Sequence, residues 1–109
     1  MLALTRRLPV ARDALSWTAM SVAEATLEVR NRLGLHLRAA SSLTQALKPF
    51  TASVTLSKGR QQANARSVTS LIMLGAGIGS KLKVKAEGDD AAAALEAVKT
   101  LFEERFGED

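Results

Sequence analysis

The stretch VAEATLEVRNRLGLHLRAASSLTQALKP, residues 22–49, changes its hydrophobic period partway along. Ala25, Leu27 and Val29 alternate with Thr26, Glu28 and Arg30, the period-two pattern of a half-buried strand. From Leu37 to Lys48 the apolar residues Ala39, Ala40, Leu43, Ala46 and Leu47 recur at helical spacing, until Pro49 stops the run. Between the two patterns lies Gly34, two residues before the single histidine of the chain, where the backbone is free to turn out of the strand. The spacing predicts a strand, a turn and a helix, with His36 at or next to the N-cap and Arg38 in the first helical turn.

The alternation of periods continues downstream. Ala52, Val54 and Leu56 alternate with Ser53, Thr55 and Ser57, and Lys58-Gly59 then turns the chain into Arg60 to Ala65, where only Ala63 and Ala65 are apolar. A hairpin with a polar, edge-like second strand is expected. Ser67 precedes Val68, Leu71, Ile72 and Leu74, a short helix that Gly75-Ala76-Gly77-Ile78-Gly79 ends. Leu82, Val84 and Ala86 alternate with Lys81, Lys83 and Lys85, a strand with three lysines on an open sheet face. Gly88-Asp89-Asp90 predicts a turn and an N-cap, and Leu95, Val98, Leu101 and Phe102 mark the longest helix, closed near Gly107. The order βαββαβα places the domain in the α+β class: a four-stranded, largely antiparallel sheet covered on one face by three helices. The three glycines at 75, 77 and 79 follow a helix and precede a strand, the reverse of a dinucleotide fingerprint, so they read as a connector.

Composition narrows the function classes. One domain is expected from 109 residues, and 47% hydrophobic with 24% charged residues excludes a wholly disordered chain. The absence of cysteine removes disulfide scaffolds, thiolate chemistry and Cys-based zinc sites, and a single histidine excludes a multi-histidine metal centre. No metal or cofactor is expected. No apolar run approaches the roughly 20 residues that span a bilayer. Of the net charge of +4, half lies in residues 1–19, where Arg6, Arg7 and Arg12 face one acid, Asp13. With no Tyr, one Trp and three Phe there is no aromatic set for stacking bases, so a nucleic-acid module is disfavoured. In residues 1–20, Leu8, Val10, Leu15 and Trp17 are scattered rather than gathered into the apolar core of a signal peptide. That extension reads as a disordered tail or a misassigned start, with a transit-like peptide or amphipathic anchor as the alternative. The folded domain is expected over 21–109.

The chemistry concentrates in Asn31-Arg32-Leu33-Gly34-Leu35-His36-Leu37-Arg38-Ala39-Ala40. An imidazole, a guanidinium and first-turn N–H groups that converge at a helix N-terminus suit an anion. The same position disfavours an imidazolium and so keeps the ring neutral and nucleophilic. By residue type alone, a histidine there is more often a cap than a phosphoryl acceptor.

This segment resembles the active-site segment of HPr, the histidine-containing phosphocarrier family of the bacterial phosphoenolpyruvate:sugar phosphotransferase system. Asn64-Ala65-Arg66-Ser67-Val68, leading into Leu71 to Gly75, resembles the regulatory-serine stretch of the same family. The resemblance spans residues 22–106 and implies a cytoplasmic, monomeric carrier rather than an enzyme with turnover. It implies that Nδ1 of His36 accepts a phosphoryl group from enzyme I and that Arg38 stabilises it in transfer to a IIA-type protein. It further implies that Leu37, Val68 and Ile72 dock partners, and that Ser67 is the target of an HPr kinase/phosphorylase where one is present. Two positions depart from the family pattern: Ala39 stands where proline is usual, and Leu37 where a small residue is usual. These departures motivate one alternative, an HPr-fold interaction module without phosphotransfer; a second, a regulatory HPr of the nitrogen-related branch, stays open because one sequence carries no transport context.

Overall fold

The structure, a computed structural model, describes residues 21–108. The elements run β1 (Ser21–Glu28), α1 (Leu37–Ala46), β2 (Ser53–Lys58), β3 (Gln61–Asn64), α2 (Val68–Met73), β4 (Lys81–Gly88) and α3 (Ala91–Glu103), followed by a 3-10 turn at Arg105–Gly107. The four strands form one sheet in the order β1-β4-β2-β3, with each neighbouring pair antiparallel. This is the βαββαβα arrangement that the periodicity predicts. The expectations for residues 1–20 and for Asp109 lie outside the described residues.

Cross-strand register sorts the sheet into a buried and an open face. Ala25, Val84, Leu56 and Ala63 stand opposite one another in one row, and Glu24, Lys85, Thr55 and Asn64 in the next. Because side chains alternate along a strand, the first row faces the helices and the second faces away. Val84 and Leu56 are fully buried, and Leu43 of α1, Leu71 of α2 and Val98 and Phe102 of α3 close over that face in one core. The lysines of β4 lie on the open face as expected, where Lys83 pairs with Glu24 at 3.6 Å and Lys85 with Glu87 at 3.9 Å.

Two boundaries and the bonding of one cap differ from the sequence reading, each for a physical reason. Helix α1 ends at Ala46 rather than Lys48, because the chain tightens into a turn before Pro49. Arg66 braces that turn, donating to Leu47 O (3.0 Å), Phe50 O (2.6 Å) and Ala52 O (2.9 Å). The hairpin turns at Gly59-Arg60, one residue later than Lys58-Gly59, since Lys58 still pairs with Gln61 and Gly59 takes the positive φ of +60°. Asp90 holds the N-cap position of α3 but makes no side-chain cap hydrogen bond. Its carboxylate instead accepts from Thr51 N (2.8 Å) and Ala52 N (2.9 Å), tying the head of α3 to the entry of β2.

The C-terminal end departs from regular helical geometry. After α3 the backbone enters the left-handed region at Arg105 (φ 57°), Phe106 (φ 55°) and Gly107 (φ 76°). Two of these are not glycine, a costly arrangement that persists only where packing enforces it. Phe106 supplies that packing: it is buried, and its ring lies 5.0 Å from that of Phe102.

The backbone N–H bonds, that of Thr51 foremost, hold the Asp90 carboxyl below its ordinary value of 3.8. A depressed carboxylate stabilises the fold above its unfolded pKa and loses that contribution as pH falls through the folded value. Asp90→Ala is therefore expected to lower the melting temperature at neutral pH. Thermal scans at descending pH should show the gap from wild type closing only below the ordinary value of 3.8.

Candidate functional site

A close backbone contact builds the site. Gly34 has φ +72°, and a Cβ there would lie 2.5 Å from the carbonyl oxygen of Ala76. The missing side chain lets the loop after β1 lie against the connector between α2 and β4, where Leu35 N donates to Ala76 O at 2.9 Å. The same connector grips the end of β1, through Val29 N to Ser80 O (2.8 Å) and Gly79 N to Val29 O (2.8 Å). The glycine stretch 75–79 is thus a connector, as its place in the sequence implies.

The loop delivers His36 to the N-cap of α1, in extended conformation, where Nδ1 accepts from Arg38 N at 3.2 Å. The ring is half-buried, and its other nitrogen, Nε2, lies 2.7 Å from Oε2 of Glu108. Oε1 of Glu108 accepts from Nδ2 of Asn31 at 3.0 Å, and the same Nδ2 donates to Gly34 O at 2.6 Å. Asn31 is fully buried, and its Oδ1 has no hydrogen-bond partner. Leaving a buried acceptor unsatisfied costs about 1–3 kcal/mol. The opposite amide rotation would set that oxygen against two acceptors, so the amide serves the site as a donor.

Arg38 lies in the first turn of α1 with its side chain 77% exposed and Nε 3.9 Å from Oε2 of Glu108. The guanidinium is therefore beside the histidine yet free to meet an incoming anion. The hydrogen bond from His36, then that from Asn31, hold the Glu108 carboxyl below its ordinary range, with the charge of Arg38 adding to them. The structure adds a carboxylate on the ring nitrogen away from the helix terminus.

Leu37 is 62% exposed and Ile72 is 40% exposed, whereas Val68 is half-buried and packs against the core. Ser67 caps α2, its Oγ accepting from Ser70 N at 3.2 Å. Leu33, Met73 and Ile78 are further exposed apolar residues, and Leu33 shares a shallow depression with Leu35, His36 and the connector from Gly75 to Gly77. Glu108 and the donor role of Asn31 escaped the sequence reading. No local pattern could have revealed Glu108, which meets His36 across 72 positions of chain. Among the described residues no cluster of His, Asp and Glu is placed to hold a metal ion, and no helix is long and apolar enough to cross a membrane.

An open-faced βαββαβα sandwich with a histidine at the head of its first helix is the architecture of a histidine phosphocarrier. The family model for the PTS HPr component phosphorylation site matches residues 23–104, and the chain belongs to that HPr family. It is 40% identical to phosphocarrier protein HPr of Xylella fastidiosa strain Temecula1, over 79% of this chain and 97% of that one. It is 38% identical to phosphocarrier protein NPr of Shewanella violacea, over 82% and 98%. The crystal structure of HPr-C-His from Thermoanaerobacter tengcongensis matches with a TM-score of 0.76 at 36% identity, over 80% of this chain and 98% of that one. Proteins of this family carry a phosphoryl group and do not turn over a substrate of their own.

Gly34→Ala tests the close contact. A non-glycine residue in that conformation costs about 1–3 kcal/mol before the clash with Ala76 O is counted. Denaturant unfolding should show at least that loss. The cross-peaks of His36 and of Ala76 should shift together in amide NMR spectra.

Proposed function

We propose that this chain accepts a phosphoryl group on Nδ1 of His36 from the phosphohistidine of enzyme I and passes it to a IIA-type protein of the phosphotransferase system. The observation that carries the reading is the placement of Nδ1 at the N-cap, directed at the first-turn N–H of Arg38. The lone pair of Nδ1 attacks phosphorus as the P–N bond of the donor breaks, and the donor ring leaves with that electron pair. Arg38 N–H then loses its contact with Nδ1 and is placed to donate to a phosphoryl oxygen. The helix terminus and the Arg38 guanidinium stabilise the charge spread over the transferring group, which is most of what this chemistry requires.

Docking would use the exposed apolar side chains of Leu37 and Ile72, with Val68 contributing its outer edge. Exposed apolar residues around a polar centre fit a transient protein partner. The carrier would act in the cytoplasm as a monomer, with no metal or cofactor of its own, and residues 1–20 would be an extension outside the carrier domain. A second reading places it in the regulatory, nitrogen-related branch. Relatives of both names match at similar identity, 40% for an HPr and 38% for an NPr, so the similarity supports the two readings alike. Offering the phosphorylated protein to IIA domains of the sugar and nitrogen types decides between them by the faster transfer.

Incubation with enzyme I and phosphoenolpyruvate should add one phosphoryl group by intact mass, in an acid-labile, alkali-stable linkage. His36→Ala should take up none; uptake at the wild-type rate would place the acceptor elsewhere. Arg38→Ala should slow transfer while melting with the wild type, because so exposed a side chain contributes little to the core.

Ser67 has a second proposed role, as the hydroxyl modified by an HPr kinase/phosphorylase. A phosphoserine is electrostatically tolerated at a helix N-terminus, so the fold should survive while a charge of about −1.5 to −2 appears beside the docking face. Ser67→Asp is expected to stay folded and to slow phosphorylation of His36. Ser67→Ala should cost about 0.5–2 kcal/mol of stability through the lost cap and leave transfer nearly intact. Equal transfer rates for Ser67→Asp and wild type would leave Ser67 as a cap alone.

A further inference from the structure

We propose that Glu108 is a positioning residue for the transfer step: its carboxylate holds a proton on Nε2 of His36, leaving Nδ1 as the nitrogen with a free lone pair. The proposal rests on the phosphocarrier reading for its consequence, but the geometry that motivates it is independent of that reading. A neutral imidazole has one donor and one acceptor nitrogen. Nδ1 faces the backbone N–H of Arg38, which can only donate, and Nε2 faces an ionised carboxylate, which can only accept. Both contacts select the same tautomer. The acceptor nitrogen is the one at the helix terminus, where an incoming phosphoryl group meets N–H donors.

Three further observations indicate that the carboxylate is held in place deliberately. Its second oxygen is fixed by Asn31, whose buried amide also holds the carbonyl of Gly34, so the latch is rooted in the loop that carries the histidine. The chain reaches His36 only through the left-handed turn at Arg105–Gly107, which Phe106 pins against Phe102. The Glu108 side chain is 12% exposed, whereas the neighbouring Arg38 is 77% exposed, so the carboxylate is the fixed member of the pair. Arg38 Nε lies 3.9 Å from the Glu108 carboxylate, and Arg32 lines the same shallow depression.

The chemical balance gives the latch its use. When the P–N bond forms at Nδ1 and the donor P–N bond breaks, the proton on Nε2 stays where it is. The phosphorylated ring therefore carries a positive charge, which the Glu108 carboxylate offsets at 2.7 Å. No proton need enter or leave the site in either direction of transfer. Arg38 is then released from Glu108 to follow the phosphoryl group.

The test uses the full-length, nitrogen-15-labelled protein and long-range proton–nitrogen NMR of the His36 ring, alongside the rate of phosphorylation by enzyme I. The wild type is expected to show Nε2 protonated and Nδ1 bare. Glu108→Ala should melt below the wild type at neutral pH, because its depressed carboxyl contributes to the fold, yet stay folded at the assay temperature, show a mixture of tautomers and accept phosphate about tenfold more slowly. Glu108→Gln, which keeps one acceptor oxygen without charge, should lie between the two in both readouts. Asn31→Ala, which frees the carboxylate without removing it, should shift the tautomer signals toward those of Glu108→Ala. A wild-type ring protonated on Nδ1, or an unchanged tautomer and rate in Glu108→Ala, would overturn the proposal. If the wild type takes up no phosphoryl group at all, the phosphocarrier reading fails, and the tautomer measurement on the unphosphorylated ring still judges the latch.

Discussion

The contact between Gly34 and the carbonyl of Ala76 is the constraint on which the site depends. A loop that leaves one strand must lie against a connector that enters another, at a distance no side chain permits. Once that approach is made, Leu35 N binds the same carbonyl, His36 is carried to the helix start, and its extended backbone lets the imidazole cap α1. The connector is itself bonded to the end of β1 through Val29, so the active loop is braced from the sheet rather than suspended above it. Precision of this kind is what phosphoryl transfer asks of a protein with little covalent chemistry to perform.

The two nitrogens of the histidine meet groups of opposite kind. At the helix terminus Nδ1 faces an N–H donor, in a place that suits an arriving anion. Nε2 faces the Glu108 carboxylate, an acceptor. On the role proposed for Glu108, the two contacts act together on one tautomer because they act on different nitrogens. The orphaned oxygen of Asn31 and the left-handed residues at Arg105 and Phe106 are the local costs of placing that carboxylate, and the paired rings of Phe102 and Phe106 help to offset them.

The departures at Ala39 and Leu37 have different consequences. Ala39 is fully buried in the first turn of α1, so what it gives up against proline is a pre-set backbone rather than packing. The hydrogen bond from Arg38 N to the His36 ring helps to define the helix start in its place. Leu37 projects into solvent next to the ring. The helix start is preserved by the first departure, and on the docking role proposed for Leu37 the second would alter the face offered to partners.

Local physics made much of this protein legible in its sequence. Period-two and period-3.6 patterns follow from which face of each element must be buried, and they were enough for the element order, the α+β class and the polar edge strand. Gly34, His36 and Arg38 were legible because a turn, a cap and a first-turn residue are defined by near neighbours. Tertiary structure decided the rest. Asp90 abandons the expected cap for Thr51 and Ala52, because two N–H groups of a distant segment come within reach only after folding. Arg66 closes the end of α1 for the same reason. Glu108 joins His36 across 72 positions through a bend that depends on a buried aromatic pair. Hydrophobic period records which side of an element is buried, but it holds no information about which polar groups from remote segments will meet there.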